Sequence, residues 1–349
     1  MGVTTRKICR LVPLVPIIAL LYFLVAAVRD GGVFPPPPGE LSASLSPGVT
    51  DWSKFAYFQY VTTSDCLCNA VMIMETLDRL GTRAEKVVVY PSTMIAGDLE
   101  TDDSHNARLL RRARNEYHVH LRPTQVQHRA VLDTYYEDSF TKLLVFNQTQ
   151  YERVLHLDSD ATVLRLMDEL FLLPPCPVAM PRAYWLYPDD PKLASPLMLV
   201  QPSAAEFERN MAETEQAGRS EYDMEVVNAL YGDRALVLPH RPYLMLTSEL
   251  ARDPDDHEAY LGTDREAWDP VAALGELKYL HFSEAPLPKP WGNISDEMRE
   301  KFQPRCHVRD GAESCSERDI WNGIYTDFRH RREVRNTPLA PPCRSFPLC

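Results

Sequence analysis

The segment YERVLHLDSDATVL, residues 151–164, constrains the chain most: an apolar strand runs into two aspartates one residue apart. Val154 to Leu157 suits a buried strand, and such a strand delivers Asp158 and Asp160 to its carboxyl end, where open parallel sheets bind their ligands. Residues two apart on extended backbone point the same way, so both carboxylates can face one cation. Hard oxygen ligands of this kind suit Mg2+ or Mn2+ held together with diphosphate oxygens. Context gives the motif its weight, because Asp253-Pro254-Asp255 has the same spacing but lies in a charged stretch with no strand before it and reads as a solvated turn.

The flanking pattern supports a parallel sheet. Lys54 to Thr63 is aromatic and β-branched, as a strand should be, and Asn69 to Leu80 has helical spacing of Val71, Met74, Leu77 and Leu80, with Gly81 placed for a C-cap. Lys86 to Tyr90 is a second strand, which completes a βαβ unit. Helices are expected at Asn106–His118 and Ser139–Phe146, and the third strand at Arg153–Leu157 closes a nucleotide-binding half over residues 51–175. Leu197–Val200, Asp223–Tyr231, Leu236–Pro239 and Tyr279–Phe282 continue as short alternating elements of a mixed α/β half.

The ends read differently. Leu11 to Val28 carries no charge, and that length of helix spans about 27 Å, close to a hydrocarbon core. Arg6, Lys7 and Arg10 precede it, so the positive-inside tendency leaves residues 1–10 cytosolic and the remainder in a lumen. A cleavable signal peptide ending near Ala26 and Ala27 competes with this anchor reading; both export the domain. Residues 29–50, with Pro35 to Pro38, read as a stem, residues 51–335 as the catalytic domain, and residues 336–349 as an irregular tail.

Of eight cysteines, seven follow the apolar run, an odd number that leaves at least one unpaired or intermolecular; Cys306 and Cys315 are the expected disulfide. Asn147-Gln148-Thr149 and Asn293-Ile294-Ser295 are glycosylation sequons. The net charge of −12 argues against a broad grip on nucleic acid phosphates.

Residues 139–164, SFTKLLVFNQTQYERVLHLDSDATVL, resemble the glycogenin-like (family 8) retaining glycosyltransferases. Tyr222–Asn228 (YDMEVVN) and Tyr279–Trp291 (YLHFSEAPLPKPW) resemble that family's acidic helix start and its His to Lys-Pro-Trp segment, in family order. The spelling resembles the fungal Golgi N-acetylglucosaminyltransferases of that family. The resemblance implies a GT-A α/β fold, with a mostly parallel sheet flanked by helices, and a UDP-sugar donor. It implies Mn2+ (or Mg2+) on Asp158, Asp160 and His281, with Ser159 between the carboxylates at the donor site. It further implies donor contacts from Lys289 and Lys142, a uridine pocket lined by Thr62 and Thr63, and sugar hydroxyls held by Asp223. Partners are then a UDP-sugar, a glycan or glycoprotein acceptor and, through residues 11–28, a Golgi bilayer. Ala194-Ser195-Pro196 stands where much of the family has an Asn-Ser-Gly turn, which leaves N-acetylglucosamine or glucose open as the sugar.

Blander roles exist for the same residues: His281 and Trp291 as core, Lys142 on a solvated helix face, and Asp223 as a charge opposing a helix dipole. Two rival functions also fit. DSDATVL matches the aspartyl-phosphate phosphatases, with Asp158 as nucleophile, although about a hundred residues precede a motif that normally opens its domain. A catalytically silent sugar-nucleotide-binding protein is the other.

Overall fold

A computed structural model describes residues 50–283, 286–309 and 311–335. The expected membrane segment at residues 11–28, the stem up to residue 49 and the tail at 336–349 lie outside the described residues. Among the described residues no helix is long and apolar enough to cross a membrane.

The strands of the main sheet are β1 Phe55–Tyr60, β2 Glu85–Pro91, β3 Val119–Thr124, β4 Arg153–Leu157, β6 Val178–Pro181, β7 Leu197–Val200 and β8 Leu236–Leu238; β5 Ala161–Val163, β9 Met245–Leu246 and β10 Tyr279–His281 form a smaller sheet. The main sheet runs in the order β3-β2-β1-β4-β7-β6-β8. Its pairings are parallel except around β7, which is antiparallel to both β4 and β6. The two halves expected from sequence therefore share one sheet, since β7, β6 and β8 extend the edge that begins with β4. The central strands β1, β2, β4 and β7 read as largely apolar runs because both faces are covered. Along β1, Phe55 and Tyr57 enter one core cluster while Ala56 and Phe58 enter another.

Helices α1 Ser64–Leu80 and α2 His105–Tyr117 cover the first face; α3 Ala204–Gln216 and α4 Asp223–Tyr231 cover the second. α1 begins five residues before the expected Asn69, because the Thr63 side chain accepts from Cys66 N–H and caps it. It ends on Gly81 in the left-handed region, at φ 79°. The helix expected at Ser139–Phe146 forms as a 3-10 helix over Ser139–Asn147, and its buried side chains are those of the apolar stretch. β3 carries Pro123, which an edge strand tolerates and which hides the strand in sequence.

The long C-terminal helix α5, Ser316–Arg335, comes without a sequence expectation. It buries Trp321, Tyr325 and Phe328 in a third cluster with Phe282 and Trp291. Its Arg332 is 4% exposed and bonds the Asp65 carboxylate at 2.6 Å and the Asp65 carbonyl at 3.1 Å, with Asn69 as a further partner. Arg332→Ala should thus remove a buried charge partner of α1 and lower stability by about 3–5 kcal/mol, read as a shift of the urea midpoint.

Cys306 and Cys315 are bonded to each other, as expected, across the short hairpin His307–Arg309 and Ala312–Ser314. Cys66 is also disulfide-bonded, while Cys176 carries a free thiol. Asn147 and Asn293 of the sequons are both exposed, and Asp253-Pro254-Asp255 lies in an exposed turn.

Candidate active site

The site forms where β4 ends. Beyond Leu157 the chain is held by Asp158 N–H donating to the Pro196 carbonyl, at 2.9 Å, and by the Tyr279 hydroxyl donating to the Asp158 carbonyl, at 3.1 Å. β5 then pairs antiparallel with β10, in a register that puts His281 opposite Ala161 and so beside Asp160. His281 Nε2 lies 3.1 Å from Asp160 Oδ1 and 3.9 Å from Asp158 Oδ2. Lys289 Nζ reaches Asp160 Oδ2 at 2.9 Å and also donates to the Phe282 carbonyl. One ligand atom each from Asp158, Asp160 and His281 falls within 4.8 Å of the others.

A second cluster adjoins it. Lys142, 3% exposed, sends its ammonium between Asp158 (3.0 Å) and Asp223 (2.7 Å) and also contacts Ser195 Oγ at 3.3 Å. Ser195 Oγ in turn donates to Asp223 Oδ2 at 2.7 Å. The solvated reading of Lys142 is thereby set aside. Asp223 occupies the first turn of α4, so it faces the helix dipole and Lys142 at once. Trp291 keeps its bland reading, buried against Phe328 with Arg332 over its ring.

The electrostatics follow from burial and pairing. Burial alone would raise the Asp160 pKa, but the charges of His281 and Lys289 override it and hold the carboxyl well below the usual range. Burial is likewise overridden at Asp158, by Lys142 and by the hydrogen bond from His156. Lys142 is pushed the other way: burial lowers its pKa, but Asp158 and Asp223 more than compensate, and it stays protonated.

All of the sequence-expected site residues line one cavity of about 590 Å³: Thr62, Thr63, Lys142, Asp158, Ser159, Asp160, Asp223, His281 and Lys289. That is the size range of small-molecule sites. Thr63 also caps α1, so the N-terminal end of that helix faces the cavity. Three residues come without a sequence expectation of a role: Ser195, Tyr60 at the end of β1, and Tyr136, whose ring packs on Tyr222 with centroids 4.6 Å apart. The turn around Ser195 is legible as a departure from the family pattern, yet its hydroxyl adds a contact to Lys142 and Asp223 rather than only removing an amide. The phosphatase reading needs Asp158 as an open nucleophile, whereas its oxygens are clamped by Lys142 and His156.

A mostly parallel α/β sheet that gathers two carboxylates, an imidazole and a lysine at one strand end over such a cavity has the architecture of the GT-A-type glycosyltransferases. No protein-family model matches the chain. It is 42% identical over 317 residues to the Aspergillus fumigatus protein named glucose N-acetyltransferase 1, covering 86% of this chain and 81% of that one. The Gibberella zeae protein of the same name is 55% identical over 287 residues, covering 81% of this chain; the chain spans 62% of that relative's length. The chain belongs to the glucose N-acetyltransferase 1 family, in agreement with the glycogenin-like N-acetylglucosaminyltransferase resemblance of residues 139–164. Among solved structures, the glycosyltransferase GlyE of Streptococcus pneumoniae aligns over 84% of this chain and 66% of its own, at 14% identity and a TM-score of 0.48.

Proposed function

We propose that the chain transfers N-acetylglucosamine from UDP-N-acetylglucosamine to a glycan acceptor, with a divalent cation and with retention of configuration. The observation that carries this reading is the convergence of Asp158, Asp160 and His281 within 4.8 Å, with Lys289 beside them, in the cavity that Lys142 and Asp223 also line. Both oxygens of Asp160 already face cationic or protonatable groups, so the position is built for positive charge. Two carboxylates and an imidazole are a donor set that tilts preference from Mg2+ toward Mn2+.

Asp158, Asp160 and His281 would hold that ion, which when bound supplies Lewis-acid neutralisation of the leaving diphosphate. Lys289 contributes an ammonium at the same edge, placed to contact diphosphate oxygens. Asp223, fixed by Lys142 and Ser195, presents a carboxylate to sugar hydroxyls, and Thr62 and Thr63 border the uridine end. Asp223 is held in an ion pair and Asp158 is clamped, so neither is free to serve as a covalent nucleophile; this favours front-side attack assisted by the leaving phosphate. The reading extends to a type II Golgi protein anchored by residues 11–28, and the Cys306–Cys315 disulfide supports an oxidising compartment.

The test is donor hydrolysis and transfer across a panel of UDP-sugars. The purified chain should turn over UDP-N-acetylglucosamine faster than UDP-glucose, with Mn2+ present. Excess chelator should remove that turnover; full activity in chelator would falsify the metal role.

A further inference from the structure

β4 reads Arg-Val-Leu-His-Leu, and its fourth residue, His156, breaks an apolar run. The side chain is 0% exposed. It lies on the sheet face of Phe58, its partner across β1, and Met198, its partner across β7, with the Phe58 ring centroid 6.0 Å away and that of Tyr60 5.6 Å away. Such a position favours Phe or Leu, because burying an imidazole costs free energy that packing does not return. What the imidazole gains is one bond: its Nε2 lies 2.9 Å from Asp158 Oδ1. Nδ1 is buried without a hydrogen-bond partner, so the Nε2–H tautomer is the one that satisfies the structure.

The consequence lies on Asp158. Lys142 straddles its carboxylate, 3.0 Å from Oδ1 and 3.1 Å from Oδ2, so the ammonium does not distinguish the two oxygens. His156 does, because it engages Oδ1 and thereby turns Oδ2 toward His281, 3.9 Å away. Because His156 and Asp158 are two apart on one extended segment, they project to the same side, and the strand itself sets the donor at the carboxylate. We infer that His156 is a positioning residue for the cation site: its Nε2–H fixes the rotamer of Asp158 so that Oδ2 faces the ion held with Asp160 and His281. This rests on the metal reading proposed above. Partners that orient a metal-binding carboxylate in this way typically contribute 10–100-fold in metal affinity or activity.

The test is Mn2+ binding to the full chain in detergent, without donor, followed by electron paramagnetic resonance of the free ion. H156F keeps the ring and removes the donor; H156Q places an amide N–H where Nε2 was. H156F should weaken Mn2+ binding by about 10–100-fold, with an unfolding midpoint no lower than that of the wild type, and H156Q should bind within about threefold of the wild type. Where H156F fails to fold, H156M removes the same donor and carries the same expectation. Wild-type affinity in the folded donor-free variant overturns the assignment, as does equal weakening in H156Q, which would mark packing rather than the hydrogen bond. A wild-type chain that binds no Mn2+ overturns the metal reading itself, and the two failures are thereby told apart.

Discussion

Asp160→Asn should lower Mn2+-dependent turnover of the UDP-sugar by about 10²–10³-fold, the loss of roughly 2.7–4 kcal/mol of transition-state stabilisation. The substitution keeps shape and removes charge where the carboxylate meets His281 and Lys289. It deprives the proposed cation of a formal negative ligand, and the diphosphate then departs with less of its charge neutralised. The fold should survive. Lys289 is partly exposed and retains the Phe282 carbonyl as a partner, and the Asn side chain keeps an oxygen and an amide in the carboxylate's place, so the stability cost should stay near 1–2 kcal/mol. Steady-state kinetics with saturating Mn2+, beside a thermal melt, measure the two effects separately. Unchanged turnover in a folded D160N protein would remove the carboxylate from the mechanism.

Lys142→Met should have a large effect on stability and on the site together. Lys142 is the buried cation between the buried Asp223 and the partly buried Asp158, and Met fills its volume without its charge. Removing one partner of a buried ionic cluster costs about 3–5 kcal/mol, because the two carboxylates left behind lose their shared counter-ion and keep only the neutral hydrogen bonds of His156 and Ser195. Urea denaturation at neutral pH measures it, and adding Asp223→Asn to K142M should recover part of the loss, as coupled neighbours do.

The pH dependence has a definite sign. In the wild type Asp158 is held below its unfolded value, so its contribution is present above about pH 4 and is lost as pH falls through the folded pKa. In K142M the opposing cation is gone, and burial with a neighbouring carboxylate raises a folded-state pKa above the unfolded one. Folded protein then binds more protons than unfolded, and stability rises as pH falls from 7 toward about 4. A K142M deficit that stays constant across that window would mean that the two carboxylates do not share an uncompensated charge.

Much of the fold and of the site is legible in the amino-acid sequence, for identifiable reasons. The strands at 55–60, 85–91 and 153–157 are short apolar runs bounded by turn residues, and both faces of the sheet are covered, so composition alone marks them. The Gly81 terminus of α1 and the whole of Asp223–Tyr231 follow from local capping and period. β3 escapes because Pro123 argues against a strand, and only an edge position makes it acceptable. The Ser139–Asn147 segment keeps its apolar positions but winds more tightly than an α-helix, a choice that packing on β1 and β4 makes and period does not. α5 is the instructive omission: Trp321, Tyr325, Phe328 and Arg332 recur every three to four residues and bury one stripe, a signal present in the letters and masked by the charges around it.

By itself the chain of letters singled out residues that the fold brings to one cavity: the aspartates at 158 and 160, the histidine at 281, the lysines at 142 and 289, and the acid at 223. The two aspartates follow from their spacing behind an apolar strand and the other four from the glycogenin-like family resemblance, and neither depends on how the chain closes. Tertiary structure alone decided the pairings. His281 meets Asp160 because β10 lies antiparallel to β5 across more than a hundred residues of chain, and Lys142 meets Asp223 and Ser195 because β7 inserts beside β4. The contacts of Ser195 and His156 emerged only there, since a hydroxyl or a buried imidazole has no fixed meaning until burial removes water and brings a partner within reach.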